Sequence, residues 1–481
     1  MPAVDGPRRA PGPARRPLRV ELPERERQSR GHPFFTAAVV VGFFVVGLFS
    51  WAWLIDGKAV GVALIEIPLL LLLTTPLFVV ASRDEQRFDL GGILALGLVL
   101  RFAASYYRYL HAADAGVYHQ FGMKLATEYR HLNFGVDPGA PLPGTGGMRV
   151  VAGVVEIFTN GNMYGSFLVF TWLGFLGCYL FYRAFVTALP DCDAQRYALL
   201  VMLWPTLLYW PSSIGKDCWM IFGLGVASLG AARILKRRPG GYALLLVGTL
   251  LGSLVRPHVA LLLAVAFAVA LLVGRRADRP GSITPAAIGK VAGLIVVLAL
   301  GGYLATRTAD LLNSQDINTS VDSALATNAN RTDQGGSSFS GANPQNPVGY
   351  VQSAVTVLFR PFPFEAHGIE SLGTSLEALG LLVLTIVSWR RLLSIRRRIR
   401  PEPYVALALA FVLMFFFAFG TISNFGILAR ERSQMMPYVF VLLSLTAMAS
   451  TARRGERRQT PREPRRSPAP ARHSASRRHT R

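Results

Sequence analysis

The sequence predicts an all-α, polytopic integral membrane protein of about twelve transmembrane helices, with both termini cytoplasmic and carried on disordered basic tails. Three observations predict it. First, 51% of the 481 residues are hydrophobic and only 16% charged, with a mean hydropathy of +0.36; a soluble domain carries about 25% charge. Second, the apolar residues form blocks of about 17–23, long enough to cross a hydrocarbon core of roughly 30 Å. Third, the strongly basic short loops all fall on one side when the spans are counted from an inside N-terminus.

Residues 1–33 hold eight arginines against four acids and no apolar pattern, which reads as a disordered basic tail. The first apolar block has full span length behind a long basic region, so it is expected to be a retained anchor rather than a cleaved signal. The spans are then expected at 34–55, 59–81 and 89–109, and, after an outer segment 110–162, at 163–187, 196–211, 215–235, 241–255, 257–274 and 287–306. A second outer segment, 307–370, is rich in Asn, Ser and Gly and ends in "VGYVQSAVTVLFRPFPFEAHG", which suits an interfacial helix and a proline-broken turn. Spans at 371–390, 403–421 and 434–451 complete the membrane domain, 34–451. Residues 452–481 form a second tail with eleven arginines against two glutamates. The inside loops include "SRDEQRFD", "KRRPG", "GRRADRPGS" and "WRRLLSIRRRIRPEP"; the loop with Asp191 and Asp193 fits the rule least well. Basic tails of this kind fit nucleic acid in principle, but in this context they are topogenic and lie on anionic lipid, so membrane lipids are the expected partner and nucleic acid is not. Cys178, Cys192 and Cys218 have neither metal-ligand nor disulfide-framework spacing.

Ionisable groups are costly at membrane depth, by roughly 3 kcal/mol at a helix centre, so their positions are informative. In this topology they gather at the outer ends of spans. Asp114 opens the segment "ADAGVYHQFGMKLA" with Tyr118 and His119 beside it. It reads as a helix N-cap or as a general base for a hydroxyl, with His119 the rival base. Lys216 and Asp217 stand in "WPSSIGKDCWM", where Pro211 ends one span and Ser212 or Ser213 is placed to cap the next. Asp217 suits the positive end of the helix dipole, whereas Lys216 opposes it. Lys216 is therefore the sharper candidate for an anion ligand, with Asp217 as its support. Arg256 and His258 form the short turn "LVRPHVA", Arg360 opens "RPFPF", and Arg430 and Arg432 precede the last span. Arginine on the outer side runs against the topogenic bias, and an anionic ligand such as phosphate supplies a reason for it. "GTGGMR" at 144–149 follows no strand and reads as a turn. No phosphate loop, zinc motif or nucleophile elbow occurs, which argues against cytosolic nucleotide chemistry.

The order of these features resembles the GT-C superfamily of polyprenyl-phosphate-dependent membrane glycosyltransferases. It rests on "HAADAGVYHQFGMKLA", "NGNMYGSFLVFTWLGFLGCYLFYRAF", "LLYWPSSIGKDCWMIFGLGVASLGAARIL", "LVRPHVALLLAVAF" and "RERSQMMPYVFVLLSL", over roughly 100–275 and 425–450. The resemblance implies an inverting, extracytoplasmic transfer of sugar from a polyprenyl-phosphate-linked saccharide to a glycan, lipid or protein acceptor of a bacterial cell envelope. Asp114 would be the base, and Lys216, Arg256 and Arg430 or Arg432 would hold the phosphate. It implies no cofactor beyond a divalent cation, and that cation lacks its usual second acid because none adjoins Asp114. Two extra helices precede the matching part. Two other classes fit the same spans. A repeat-unit polymerase or ligase of the O-antigen type would work through 307–370, with Arg360 and His367. A lipid-linked saccharide transporter or assembly scaffold would need ionisable groups at mid-membrane, for which Arg101 and Glu66 are the hints.

Overall fold

The computed structural model describes residues 33–446 except 56, 58–60, 275–301, 303–338, 340 and 367. Both tails, the expected span 287–306, most of the polar outer segment and His367 lie outside the described residues. What is described is 79% helical and without a strand. Among the described residues, six helices are long and apolar enough to cross a membrane, or seven if one bent pair counts as a single span. This is the architecture of a helical membrane protein; of the expected spans, 196–211 is broken and 287–306 lies outside the described residues.

The chain opens with α1 (Pro33–Ile55), α2 (Ala63–Asp84) and α3 (Leu90–His111). Asp89 caps α3 by accepting the Gly92 N–H at 3.0 Å and also accepts the Phe35 N–H at 3.0 Å, which ties the start of α1 to α3. The segment 110–162, expected to carry a helix from Asp114, holds two packed helices, α4 (Ala113–Arg130) and α5 (Thr145–Thr159). In α5, Val151, Ala152 and Val155 face inward while Val154 and Phe158 are bare, the pattern of a helix lying on the bundle.

The centre is α6 (Met163–Ala188) against α9 (Lys216–Leu235). They meet through glycines: a Cβ on Gly177 would fall 2.6 Å from the Ile221 carbonyl oxygen, and one on Gly225 2.5 Å from that of Gly177. Such backbone contact is the usual route to tight packing where lipid supplies no hydrophobic drive. Between them, the single span expected at 196–211 is broken into α7 (Ala194–Leu203) and α8 (Pro205–Tyr209). Pro205 has no N–H to continue the helix, so carbonyls near the break lose their partners. Arg101 of α3, fully buried, supplies them. Its guanidinium donates to the Met202 carbonyl at 2.8 Å, to Leu207 at 3.3 Å and to Gly97 at 3.1 Å. Arg101 is thus a structural clamp, which removes one of the two hints of a transporter. Arg101→Lys keeps the charge but loses the fork, and is expected to destabilise the purified protein by about 1–3 kcal/mol. Thermal unfolding in detergent measures this, and an unchanged midpoint would rule out the clamp.

The remainder comprises α10 (Gly241–Ser253), α11 (Pro257–Val273), α12 (Pro347–Phe359), α13 (Ile369–Val387), the short α14 (Trp389–Leu393) and α15 (Ile395–Arg398), α16 (Pro403–Phe419) and α17 (Phe425–Leu443). The helix α12 and the turn with a 3₁₀ segment at Pro363–Glu365 match the expected helix and proline-broken turn. At 1.5 Å per residue, α10 is too short to cross alone. The last helix begins nine residues earlier than the expected 434. That shift puts Arg430 and Arg432 inside α17 rather than ahead of it.

Candidate functional site

The end of α3 and the beginnings of α4, α9, α11 and α17 meet at one end of the bundle, and the charged residues placed there form one connected cluster. Arg430 bridges two carboxylates, with Nη1 donating to Asp114 Oδ2 at 3.0 Å and Nε donating to Asp217 Oδ2. Arg256 donates to the other oxygen of Asp217 at 3.1 Å and pairs with Glu431 at 2.6 Å. Lys216 donates to Thr145 Oγ1 of α5 at 3.2 Å. Three carboxylates and three cations therefore come together from four separate stretches of chain. Burial is graded across them: the Asp217 side chain is 2% exposed and that of Asp114 66%. Two charged groups removed from water persist only when paired and hydrogen-bonded, and Asp217 meets that condition with two guanidiniums.

Lys216 differs from the arginines. Among the described residues it has no carboxylate within ion-pairing distance, and its ammonium, half-buried, has a hydroxyl as its hydrogen-bond partner. Tyr118 stands next to the cluster. Burial pushes its phenol above the ordinary value, against the pull of Arg430 and Arg256.

The segment "GTGGMR" is the first turn of α5, not an isolated turn. A Cβ on Gly147 would fall 2.0 Å from the Leu254 carbonyl oxygen, in the stretch that leads to Arg256. Only glycine lets α5 seat Thr145 against Lys216. Gly147→Ala forces that helix away from backbone that cannot yield, and is expected to cost about 1–3 kcal/mol. Thermal unfolding together with protease sensitivity of 131–144 reads the displacement; a variant as resistant as the parent would show the contact to be slack.

Several expectations are corrected. Asp114 is not the N-cap of α4: Ala112 occupies that position, and the Asp114 carboxylate turns to Arg430. Neither Ser212 nor Ser213 caps α9; Gly215 is its N-cap, and the Ser212 hydroxyl donates back to the Leu208 carbonyl at 2.6 Å. Asp217 is the buried hub of the cluster rather than an accessory to Lys216. His119 is taken out of the site. It is buried, and its Nδ1 lies 2.7 Å from Glu156 Oε1, which also accepts from Ser166 Oγ at 2.8 Å, so it pins α4 to α5 and α6. The His258 ring packs 5.9 Å from Phe419 and has no hydrogen bond to the cluster among the described residues. Arg360 is engaged elsewhere: it pairs with Glu365 and lies over the rings of Phe339 and Phe425 at 4.4 and 5.1 Å. Burial alone would raise the Glu365 carboxyl, but Arg360 and the Phe362 N–H outweigh it and hold that carboxyl below its usual range. Arg432 is fully buried and donates to the carbonyls of Leu358 and Arg360 at 2.9 and 3.2 Å, which fastens α12 to α17. A divalent cation does not fit, because both Asp114 and Asp217 are bound to Arg430 and the described residues offer no group of three or more metal-ligating side chains.

Glu431 and Thr145 also belong to the site. Glu431 was legible beside Arg430 and Arg432 in "RERS" as an ionisable group ahead of the last span, but without a role. Thr145 gave no signal, since its role depends on how α5 docks.

A cavity of about 570 Å³ opens between α3, α8, α13 and α17, lined by Tyr107, Thr206, Tyr209, Glu370, Glu377 and Phe425 among others. Its lining includes Trp210, six residues before Lys216, and Gly426, four residues before Arg430. Arg108 lies over the rings of Tyr209 and Trp210 at its rim, at 4.8 and 5.0 Å. Glu377 accepts the Thr206 hydroxyl. Comparison of the chain with protein-family models, with curated proteins and with solved structures finds no match.

Proposed function

We propose that the chain is a GT-C-like membrane glycosyltransferase of a bacterial plasma membrane. It moves a sugar from a polyprenyl-phosphate-linked donor to a cell-envelope glycan, lipid or protein acceptor on the extracytoplasmic face. About twelve spans and cytoplasmic termini go with this reading. The observation that supports it is the convergence of Asp114, Lys216, Arg256 and Arg430 at one end of an apolar bundle. In this reading the cavity lined by Tyr107, Trp210 and Phe425 takes part of the donor's apolar chain.

In the reaction, the acceptor hydroxyl oxygen attacks the anomeric carbon of the donor sugar. The bond from that carbon to the phosphate oxygen breaks, and the phosphate leaves with the electron pair. Asp114, open to water, takes the hydroxyl proton. Arg256 and Arg430 already share their charge with Asp217, Glu431 and Asp114, so the cation left for the developing phosphate charge is Lys216. A cation aimed where charge develops lowers the barrier more than one that binds both states equally.

The direct test is binding of a short-chain polyprenyl phosphate to the purified protein. Lys216→Met is expected to weaken it by roughly 10- to 100-fold, the range of one charge-assisted hydrogen bond of about 1.5–3 kcal/mol. Equal affinity of variant and parent would remove Lys216 from the phosphate site and leave the reading without its anion ligand.

A further inference from the structure

At the opposite end of the bundle, the segment Trp389–Arg398 carries a second feature that the transfer reaction does not use. The chain turns by 117° between this segment and α16. If α16 crosses the membrane, the segment therefore lies closer to the membrane plane than to its normal. Its two sides differ. Arg391 and Arg398, seven residues apart and so on one helical face, point into the protein. Arg391 donates to Asp193 Oδ2 at 3.0 Å and to the Leu445 carbonyl at 3.1 Å; Arg398 donates to Glu402 at 2.8 Å and to the Thr446 carbonyl at 3.2 Å. These contacts fix the orientation of the segment on the end of α17.

The other side is bare. Trp389, Leu393, Arg396 and Arg400 follow one another at spacings of three and four residues and are all exposed, with Arg390 and Arg397 exposed beside them. The Arg390 guanidinium lies 5.4 Å from the Trp389 ring. Among the described residues, none of Arg390, Arg396, Arg397 and Arg400 has a carboxylate within ion-pairing distance. Arginines kept only for solubility or topology do not need a tryptophan and a leucine laid bare among them. An interfacial helix does: the aromatic and aliphatic groups enter the headgroup boundary, and the cations meet anionic headgroups. The inward pair of arginines holds the outward set in place.

We infer that Trp389–Arg400 is a docking surface for anionic phospholipid, through Arg390, Arg396, Arg397 and Arg400 with Trp389 and Leu393 set into the interface. The inference does not depend on the proposed transfer reaction.

The test uses the full chain, reconstituted in nanodiscs of equimolar phosphatidylglycerol and phosphatidylcholine, then released and weighed by native mass spectrometry to count retained lipids. The parent is expected to retain phosphatidylglycerol over phosphatidylcholine by roughly tenfold, the scale set by one or two basic contacts at an anionic surface. The variant R390Q/R396Q/R397Q/R400Q is expected to retain the two lipids about equally. The matching Lys variant, which keeps the charge, is expected to retain the preference, and that separates lost lipid contact from lost folding. A Gln variant that still prefers phosphatidylglycerol would overturn the inference. So would a preference that disappears only when the arginines of 453–481 are neutralised.

Discussion

Asp114→Asn is expected to lower sugar transfer by about 10²–10⁴-fold, the usual contribution of a positioned general base, while leaving expression and thermal midpoint close to those of the parent. The carboxylate is largely open to water and, among the described residues, pairs with one guanidinium, Arg430 Nη1 at 3.0 Å. An exposed ion pair of this kind contributes about 0–1 kcal/mol to stability. The amide keeps the shape and an oxygen for Arg430 but does not accept the acceptor's proton. Transfer from a polyprenyl-phosphate-linked sugar by the purified variant, set beside its unfolding midpoint, measures both halves of the expectation. Activity retained within a fewfold would remove Asp114 from the chemistry.

Asp217→Asn is expected to do the reverse: a loss of roughly 3–5 kcal/mol in stability, the typical consequence of removing one partner from a buried ion pair. Asp217 is the only carboxylate among the described residues that touches both Arg256 and Arg430. Without it Arg430 keeps an exposed partner, Asp114, and Arg256 keeps Glu431, but two guanidiniums face each other across a site that no longer compensates them. Detergent unfolding should show a clear drop in midpoint, with transfer lost at temperatures where the parent still works. A variant that melts with the parent would mean that water reaches the cluster. A variant that stays folded yet is inactive, alongside an active Asp114→Asn, would exchange the roles of the two acids.

Much of the site was legible in the sequence. Asp114, Lys216, Arg256 and Arg430 stand out because charge at a span end is costly and, on the side opposite the topogenic arginines, needs a reason. The expected alternation of spans puts all four on one side, and the structure brings them into one cluster. Other readings failed for identifiable causes. His119 looked like a base because it neighbours Asp114, but α4 turns it towards Glu156. Arg432 looked like a phosphate ligand because it follows Arg430 by two residues, and two residues on a helix point in different directions. Asp217 was ranked below Lys216 on the helix dipole alone, a fraction of a kcal/mol, while its real environment is set by two arginines, one 39 and one 213 residues away. The shortness of α10 and the break at Pro205 left two of the expected spans without a full-length helix among the described residues, because hydropathy measures how apolar a stretch is, not whether it stays straight.

By itself, then, the sequence determined that this chain is a helical membrane protein, where most of its long helices run, and which end of the bundle collects unusual charge. These depend on composition, period and the cost of charge in lipid, all of which are local. Only the tertiary structure decided the partners: that Arg101 clamps a broken helix, that α4 and α5 form a pair of helices docked through Gly147, that His119, Arg360 and Arg432 are bound elsewhere, and that Lys216 alone among the cluster's cations lacks a carboxylate partner within the described residues. A side chain's partner depends on the direction it leaves its helix and on what a distant helix presents there, and neither is written in its own stretch of sequence.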